Sequence, residues 1–217
     1  MPGWKYLRTQ NRFDIYRNEY YIPMGYTFDK FIAEEEFDLV TNAHKSEALL
    51  YAMVLPRDLM KKYSDITGYS DEKYKLLYGK HPEDYDSITE KFDYSNSDYK
   101  KVCNLRALNS CTSFEYTDNG FKAVYNNKKG DDNLLFFSVP YSDGFTATVN
   151  GVPAEVEKVD NGLMAVAAPA GHSEIVFTYH TAGLRQSVAV SAGAIVVYAV
   201  WVAVLHRKKR REESSVG

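Results

Sequence analysis

The side chains that could do chemistry in this chain are mostly carboxylates, and they occur in runs: Glu34-Glu35-Glu36, Glu83-Asp84 and Asp131-Asp132. Glycoside hydrolysis needs two carboxyl groups facing each other across a sugar ring, and adjacency in the chain does not place them so. These runs read instead as solvated helix ends and turns. Asp84, Asp86, Asp93 and Asp98 could gather a calcium ion, but their intervals match no EF-hand and no glycine stands at the required bend. His44, His81, His172 and His180 form no HExxH pattern, and Cys103 and Cys111 have no CxxC spacing, so no metal ligand set is expected. Ser138 and Ser142 flank Pro140 without a GxSxG elbow, and no GxxxxGK[ST] loop is present. No residue is assigned a catalytic or cofactor-binding role.

Aromatic side chains supply a different chemistry. Tyr141 and Phe145 bracket the turn Ser142-Asp143-Gly144, where two rings beside a short polar loop could stack on the apolar face of a sugar. The competing reading packs Phe145 into the core or against a neighbouring sheet, since it begins a strand.

These residues must be positioned by a chain whose character changes along its length. Arg12–Arg17 alternates as a short strand, and Tyr20–Phe28 is a second aromatic strand candidate broken by Pro23 and Gly25. Glu34–Met53 reads as a helix stopped by Pro56, and Arg57–Tyr99 reads as a poorly specified connector with a short helical possibility at 71–78. From Ser110 onward, short alternating runs are divided by turn signals: Thr112–Tyr116, Phe121–Tyr125, Leu134–Val139, Thr146–Val149, Val152–Val159, Leu163–Ala167 and Glu174–Tyr179. Asn150-Gly151 suits a type I′ hairpin turn. Seven closely spaced strands without room for crossover helices predict an antiparallel β-sandwich, carrying an N-terminal α/β extension. Cys103 and Cys111 either bridge, if the strands bring them together, or remain two free buried thiols.

The last apolar stretch has the clearest physical meaning. Val188–Leu205 is uncharged and almost wholly apolar, about 27 Å long as a helix, and is followed at once by His206, Arg207, Lys208, Lys209, Arg210 and Arg211. It reads as a single transmembrane helix. Cations flanking a span are expected on the cytoplasmic side, which puts residues 1–186 outside the cytoplasm. Tyr179 and Arg185 on one flank, and Arg207, Lys208, Lys209, Arg210 and Arg211 on the other, are the expected interface residues. The basic end offsets a more acidic body within the net charge of −3; the body should repel nucleic acid, and the cations suit anionic lipid headgroups. Met1–Gln10 has no apolar signal-peptide core, so the economical expectation is that upstream spans of a larger membrane protein export this segment. The resulting division is 1–100 as a mixed α/β extracytoplasmic extension, 101–183 as the sandwich, 184–206 as the membrane helix and 207–217 as a basic cytoplasmic tail.

The stretches FFSVPYSDGFTATVNG (Phe136–Gly151) and VEKVDNGLMAVAAPAGHSEIVFTYHTAGL (Val156–Leu184), followed by a final apolar helix, resemble the carboxy-terminal end of the YfhO family of bacterial membrane proteins. DIYRNEYYIPMGYTFDKFI (Asp14–Ile32) and NLRALNSCTSFEYTDNGF (Asn104–Phe121) fit the same family in the same order, so the resemblance covers nearly the whole chain. Phe145 stands where tryptophan is commoner, and Ala182 where proline often precedes the glycine. The resemblance implies a multi-pass, glycosyltransferase-like protein using polyprenyl-phosphate sugars on cell-wall polymers such as lipoteichoic acid, with its catalytic acids in loops among amino-terminal membrane helices. On that basis this chain is a noncatalytic extracytoplasmic domain and last span. Its expected partners are the lipid bilayer, the upstream membrane domain of the same protein and a cell-wall glycopolymer. The alternative is a single-span surface carbohydrate-binding or adhesion module with no enzyme attached.

Overall fold

Two strand segments do not alternate. Leu134–Phe137 and Leu163–Ala168 are apolar at nearly every position, the pattern expected of strands covered on both faces. In the computed structural model, which describes residues 3–40, 42, 44–70, 96–128 and 130–214, they form the middle layer of three.

The sandwich consists of a five-stranded sheet, order β10-β9-β13-β7-β6, and a four-stranded sheet, order β11-β12-β8-β3. Its strands are β3 (Tyr26–Thr27), β6 (Ser113–Thr117), β7 (Gly120–Asn127), β8 (Asn133–Pro140), β9 (Phe145–Val149), β10 (Val152–Ala154), β11 (Glu157–Val159), β12 (Leu163–Ala168) and β13 (Gly171–Tyr179). All pairings within both sheets are antiparallel. Leu135 and Phe137 of β8, with Met164 and Val166 of β12, face Phe121, Ala147, Ile175 and Phe177 of the larger sheet. Phe121 and Phe177 stack at 4.5 Å, and Phe137 meets Phe177 edge-on at 5.1 Å. The intervening residues Leu134, Phe136 and Ala165 point the other way, into a second core with Phe28, Met53, Leu55, Leu59 and Met60.

That second core is closed by the extension. Its elements are β4 (Phe31–Ala33), α1 (Glu34–Leu39), α2 (Lys45–Tyr51), β5 (Met53–Leu55), α3 (Arg57–Lys62), α4 (Ser64–Thr67) and α5 (Asn96–Leu108). The helix expected over Glu34–Met53 is instead two short helices, and Met53 opens a buried strand paired in parallel with β4. Three consecutive apolar residues, Met53-Val54-Leu55, suit a strand covered on both sides better than a helix face. The connector expected over Arg57–Tyr99 holds α3, α4 and the start of α5, while the helical possibility at 71–78 lies outside the described residues. Of Tyr20–Phe28, only Tyr26–Thr27 is strand.

The expected strand Val152–Val159 is two strands in different sheets. Pro153 and the Glu155-Val156 step carry the chain from β10, at the edge of the larger sheet, to β11, at the edge of the smaller. The hairpin at Asn150-Gly151 forms, with Val149 opposite Val152 and φ of 52° and 77° at the two turn residues. Gly120, which opens β7, is required for another reason: a Cβ there would lie 2.0 Å from the Phe177 carbonyl oxygen.

Two further elements complete the chain. β1 (Trp4–Gln10) and β2 (Phe13–Asn18) form a separate two-stranded hairpin, turned by Asn11 and Arg12 at φ 52° and 66°. Met1–Tyr179 is one compact unit and His180–Gly217 another. The second unit carries α6 (Leu184–Ser214), whose segment Gln186–Arg207 has a mean hydropathy of 2.4 and is the candidate membrane span. It is apolar around its whole circumference, the pattern of a helix that faces lipid rather than a single protein surface.

Candidate functional site

Two inter-sheet crossings, β8 to β9 and β10 to β11, meet at one rim of the sandwich and bring together residues that the sequence keeps apart. The first crossing is the turn Tyr141–Gly144, closed by the Phe145 N–H donating to the Ser142 carbonyl at 3.0 Å. The Tyr141 N–H donates to the Gly162 carbonyl at 2.8 Å, which fixes the start of the turn against the β11–β12 loop. The second crossing presents Glu155 and Glu157. From the extension, the end of α3 supplies Lys62, followed by Tyr63.

Lys62 Nζ donates to Glu155 Oε2 at 2.6 Å and to Glu157 Oε1 at 2.7 Å, and the Tyr63 hydroxyl donates to the same Glu157 oxygen at 2.5 Å. Burial lowers the Lys62 pKa, but the hydrogen bonds to both carboxylates and the charge of Glu157 outweigh it, so the ammonium is held above the ordinary lysine value. Burial and then the Glu157 contact push the Tyr63 phenol up as well. Glu157 is 5% exposed, so this buried carboxylate is compensated by two donors. The arrangement latches the extension to the sandwich, and Lys62 bridges the two acids.

Tyr141 lies above this latch. Its ring packs on the sandwich core, and its hydroxyl is pushed up by burial, by its hydrogen bond to Asp143 and by the charges of Glu157 and Glu155. It is a neutral phenol beside carboxylates, a combination of flat apolar face and acceptors that suits a polyhydroxylated ligand. Phe145 is engaged differently: its ring lies 4.9 Å from Tyr179 and 6.3 Å from Phe121, within the aromatic cluster at that end of the larger sheet. The structure thus puts Tyr141 with Asp143 and the Lys62 latch, and Phe145 with Tyr179.

Other residues singled out in the sequence have local partners. Asp131 offers its carbonyl to Asn127, and Asp132 accepts the Ala170 N–H at 3.3 Å. His44 contacts Glu47 at 2.8 Å and His172 contacts Asn126 at 2.8 Å. Cys103 and Cys111 are both free thiols and both buried; burial pushes Cys111 up to about 12. Glu83, Asp84, Asp86, Asp93 and His81 lie outside the described residues, as does the side chain of Asp98. Among the described residues no three His, Cys, Asp or Glu side chains gather as a metal site. Tyr179 donates its N–H to the Asn119 carbonyl at 2.6 Å. Arg207 lies on α6, as do Arg185, Lys208, Lys209, Arg210 and Arg211, of which the last five are described in backbone only.

Besides Glu157, two buried charged groups are not evident from the sequence. Arg106 on α5 donates from Nη1 to the Thr27 carbonyl at 3.2 Å and to Asp29 Oδ1 at 2.8 Å, and from Nη2 to the Tyr51 carbonyl at 2.7 Å; its guanidinium lies 4.4 Å from the centre of the Phe28 ring. Burial raises the Asp29 pKa, yet the Arg106 hydrogen bond and charge more than offset this and hold it below the usual range. Asp160, in the turn between β11 and β12, accepts the Val54 N–H at 2.6 Å and returns its own N–H to the Val54 carbonyl at 3.0 Å. Burial pushes its carboxyl up to about 7, with the Val54 bond opposing.

Residues 90–191 match the family model described as "Bacterial membrane protein YfhO". This segment, just under half of the chain, is similar to the YfhO family. The matched YfhO segment contains α5 with Arg106, both crossings of the candidate site and the whole of β6 to β13, and it continues into the first turns of α6. No curated protein and no solved structure matches significantly. The chain thus combines antiparallel sheets with one candidate membrane span, and its residues 90–191 are similar to a bacterial membrane-protein family.

Proposed function

We propose that the chain is the noncatalytic extracytoplasmic domain and last membrane span of a YfhO-like polyprenyl-phosphate-sugar glycosyltransferase that modifies cell-wall polymers such as teichoic acids. The observation that supports this reading is the family match at residues 90–191, which takes in the sandwich and the first residues of the apolar helix. The cations from Arg207 to Arg211 support a cytoplasmic carboxy terminus and an extracytoplasmic body. In this reading the division into 1–100, 101–183, 184–206 and 207–217 separates extension, sandwich, membrane helix and tail. Arg185 and Tyr179 sit at one membrane interface and Arg207, Lys208, Lys209, Arg210 and Arg211 at the other.

The role of the body is to position substrate rather than to break bonds. Lys62 bridges Glu155 and Glu157 and offsets one of their two charges, which leaves the Tyr141 ring and Asp143 as the surface for a glycopolymer, with Phe145 bracing the turn from behind. Cysteine labelling tests the sidedness: Glu212→Cys should react only from the cytoplasmic side and Asn161→Cys only from the outside, and reaction of both from one side rejects the topology. Sugar transfer from a polyprenyl-phosphate donor should require upstream membrane helices. Turnover by the present chain alone, abolished by changing one of its own carboxylates, rejects the noncatalytic role. A single-span carbohydrate-binding module is the second reading, favoured by the Tyr141 and Asp143 surface; polymer binding by this chain with no transfer activity in any longer protein would select it.

A further inference from the structure

Among the described strands, β1 and β2 pair only with each other, and a two-stranded hairpin in water is at best marginally stable. Its register sorts its side chains cleanly. Trp4, Tyr6 and Tyr16 share one face with Thr9 and Asp14, where Tyr6, Thr9 and Asp14 are linked by hydrogen bonds of 2.7 and 2.6 Å. The opposite face carries Lys5 directly across from Arg17, Arg8 across from Ile15, and Phe13 across from Gln10. Lys5 opposite Arg17 is a like-charge cross-strand pair, an arrangement that opposes pairing unless an anion lies between the two. None of Lys5, Arg8, Arg12 and Arg17 has an ion-pair partner among the described residues, and the only acid of the hairpin, Asp14, is turned to the other face. At the tip, Arg12 stands beside Phe13, which is 74% exposed.

We infer that this face of the hairpin is a docking surface for anionic phospholipid headgroups, with Phe13 and Ile15 entering the interfacial layer and Lys5, Arg8, Arg12 and Arg17 pairing with lipid phosphates. Charge complementarity supplies the selection, since four cations on one short element, without an ion-pair partner among the described residues, attract an anionic surface and not a neutral one. The apolar residues supply what a soluble polyanion would not use: an exposed phenylalanine beside a half-buried isoleucine on the same face as the cations. The candidate span Gln186–Arg207 keeps a bilayer tethered to this chain, so a weak local contact suffices.

The test uses the full chain in nanodiscs of phosphatidylcholine alone or mixed with phosphatidylglycerol, with a single tryptophan at the tip (Phe13→Trp with Trp4→Phe and Trp201→Phe). Tip fluorescence should shift to the blue and be quenched by brominated acyl chains only in the anionic discs, and the effect should fall with salt. A second protein retaining Trp4 alone should be quenched far less, because Trp4 lies on the other face. Lys5→Glu, Arg8→Glu and Arg17→Glu together should abolish quenching, and single changes should weaken the local contact roughly fivefold each. Equal quenching in neutral discs, equal quenching of Trp4 and the tip, or absence of quenching in both lipids would each overturn the assignment. So would a tip that ignores lipid but shifts when soluble polyphosphate is added, which would identify a polyanion site instead.

Discussion

Asp160→Asn should change how stability depends on pH. In the folded protein the Asp160 carboxyl titrates near pH 7, against 3.8 for the ordinary group, because burial penalises the carboxylate more than the Val54 N–H rewards it. A carboxyl whose pKa rises on folding binds more proton in the folded state. Its contribution is therefore fully present below about pH 4, falls as pH rises from about 4 to 7, and is lost above that. The shift of about three units corresponds to about 4 kcal/mol between the ends of this window. Asparagine keeps an oxygen for the Val54 N–H and removes the charge, so the variant should lack this slope. It should gain on the wild type as pH rises, reaching a relative stabilisation of about 4 kcal/mol by pH 8. Asparagine also tolerates the φ of 47° at this position, which adds a pH-independent increment. The diagnostic is therefore the difference in slope rather than the absolute gain. Urea unfolding of the full chain in nonionic detergent, followed by near-ultraviolet circular dichroism at several pH values, measures it. Parallel stability curves for the two proteins between pH 4 and 7, or a carboxyl resonance of Asp160 titrating near 4, would refute the reasoning.

Three other substitutions probe different parts of the fold. Gly151→Val should cost about 1–2 kcal/mol through backbone strain alone, since φ is 77° and no atom lies within 4 Å of the added Cβ; an unchanged melting temperature would remove the type I′ turn. Gly120→Ala should cost more, about 2–4 kcal/mol, because its methyl group meets the Phe177 backbone and β7 must move away from β13; amide exchange in β13 should accelerate, and protection as in the wild type would contradict the close approach. Arg106→Met should cost about 3 kcal/mol or more by stripping donors from the Thr27 and Tyr51 carbonyls and from Asp29; a thermal melt within a degree of wild type would show that the guanidinium is dispensable.

The sandwich was legible in the sequence because its strands alternate and their turns carry residues that tolerate positive φ, such as Asn150-Gly151 and Asn161-Gly162. The apolar helix was legible from length and charge alone. What stayed hidden was long-range or locally ambiguous. Met53-Val54-Leu55 follows a helical segment without a break signal, and only its parallel partner Phe31–Ala33 makes it a strand. Helix α5 shows little apolar periodicity because the buried Arg106 takes a place where a hydrophobic residue would signal a face. The Lys62 latch joins residues 93 and 95 positions apart, beyond any motif. Tyr141 is conspicuous in the sequence for its ring beside a turn, whereas the carboxylates around it follow from the two crossings meeting at one rim.

The middle sheet has no outside. Its β8 and β12 give alternate side chains to two cores, and one of those cores is closed by Phe28, Met53, Leu55, Leu59 and Met60, all ahead of the matched residues 90–191. Cutting the chain where the family match begins would leave Leu134, Phe136, Val159 and Ala165 as a bare greasy panel, together with a buried guanidinium whose acceptors are gone. Such a fragment would seek cover from another copy of itself. The smallest piece that can be expected to stay single in solution must therefore begin before Tyr26, well ahead of the matched residues.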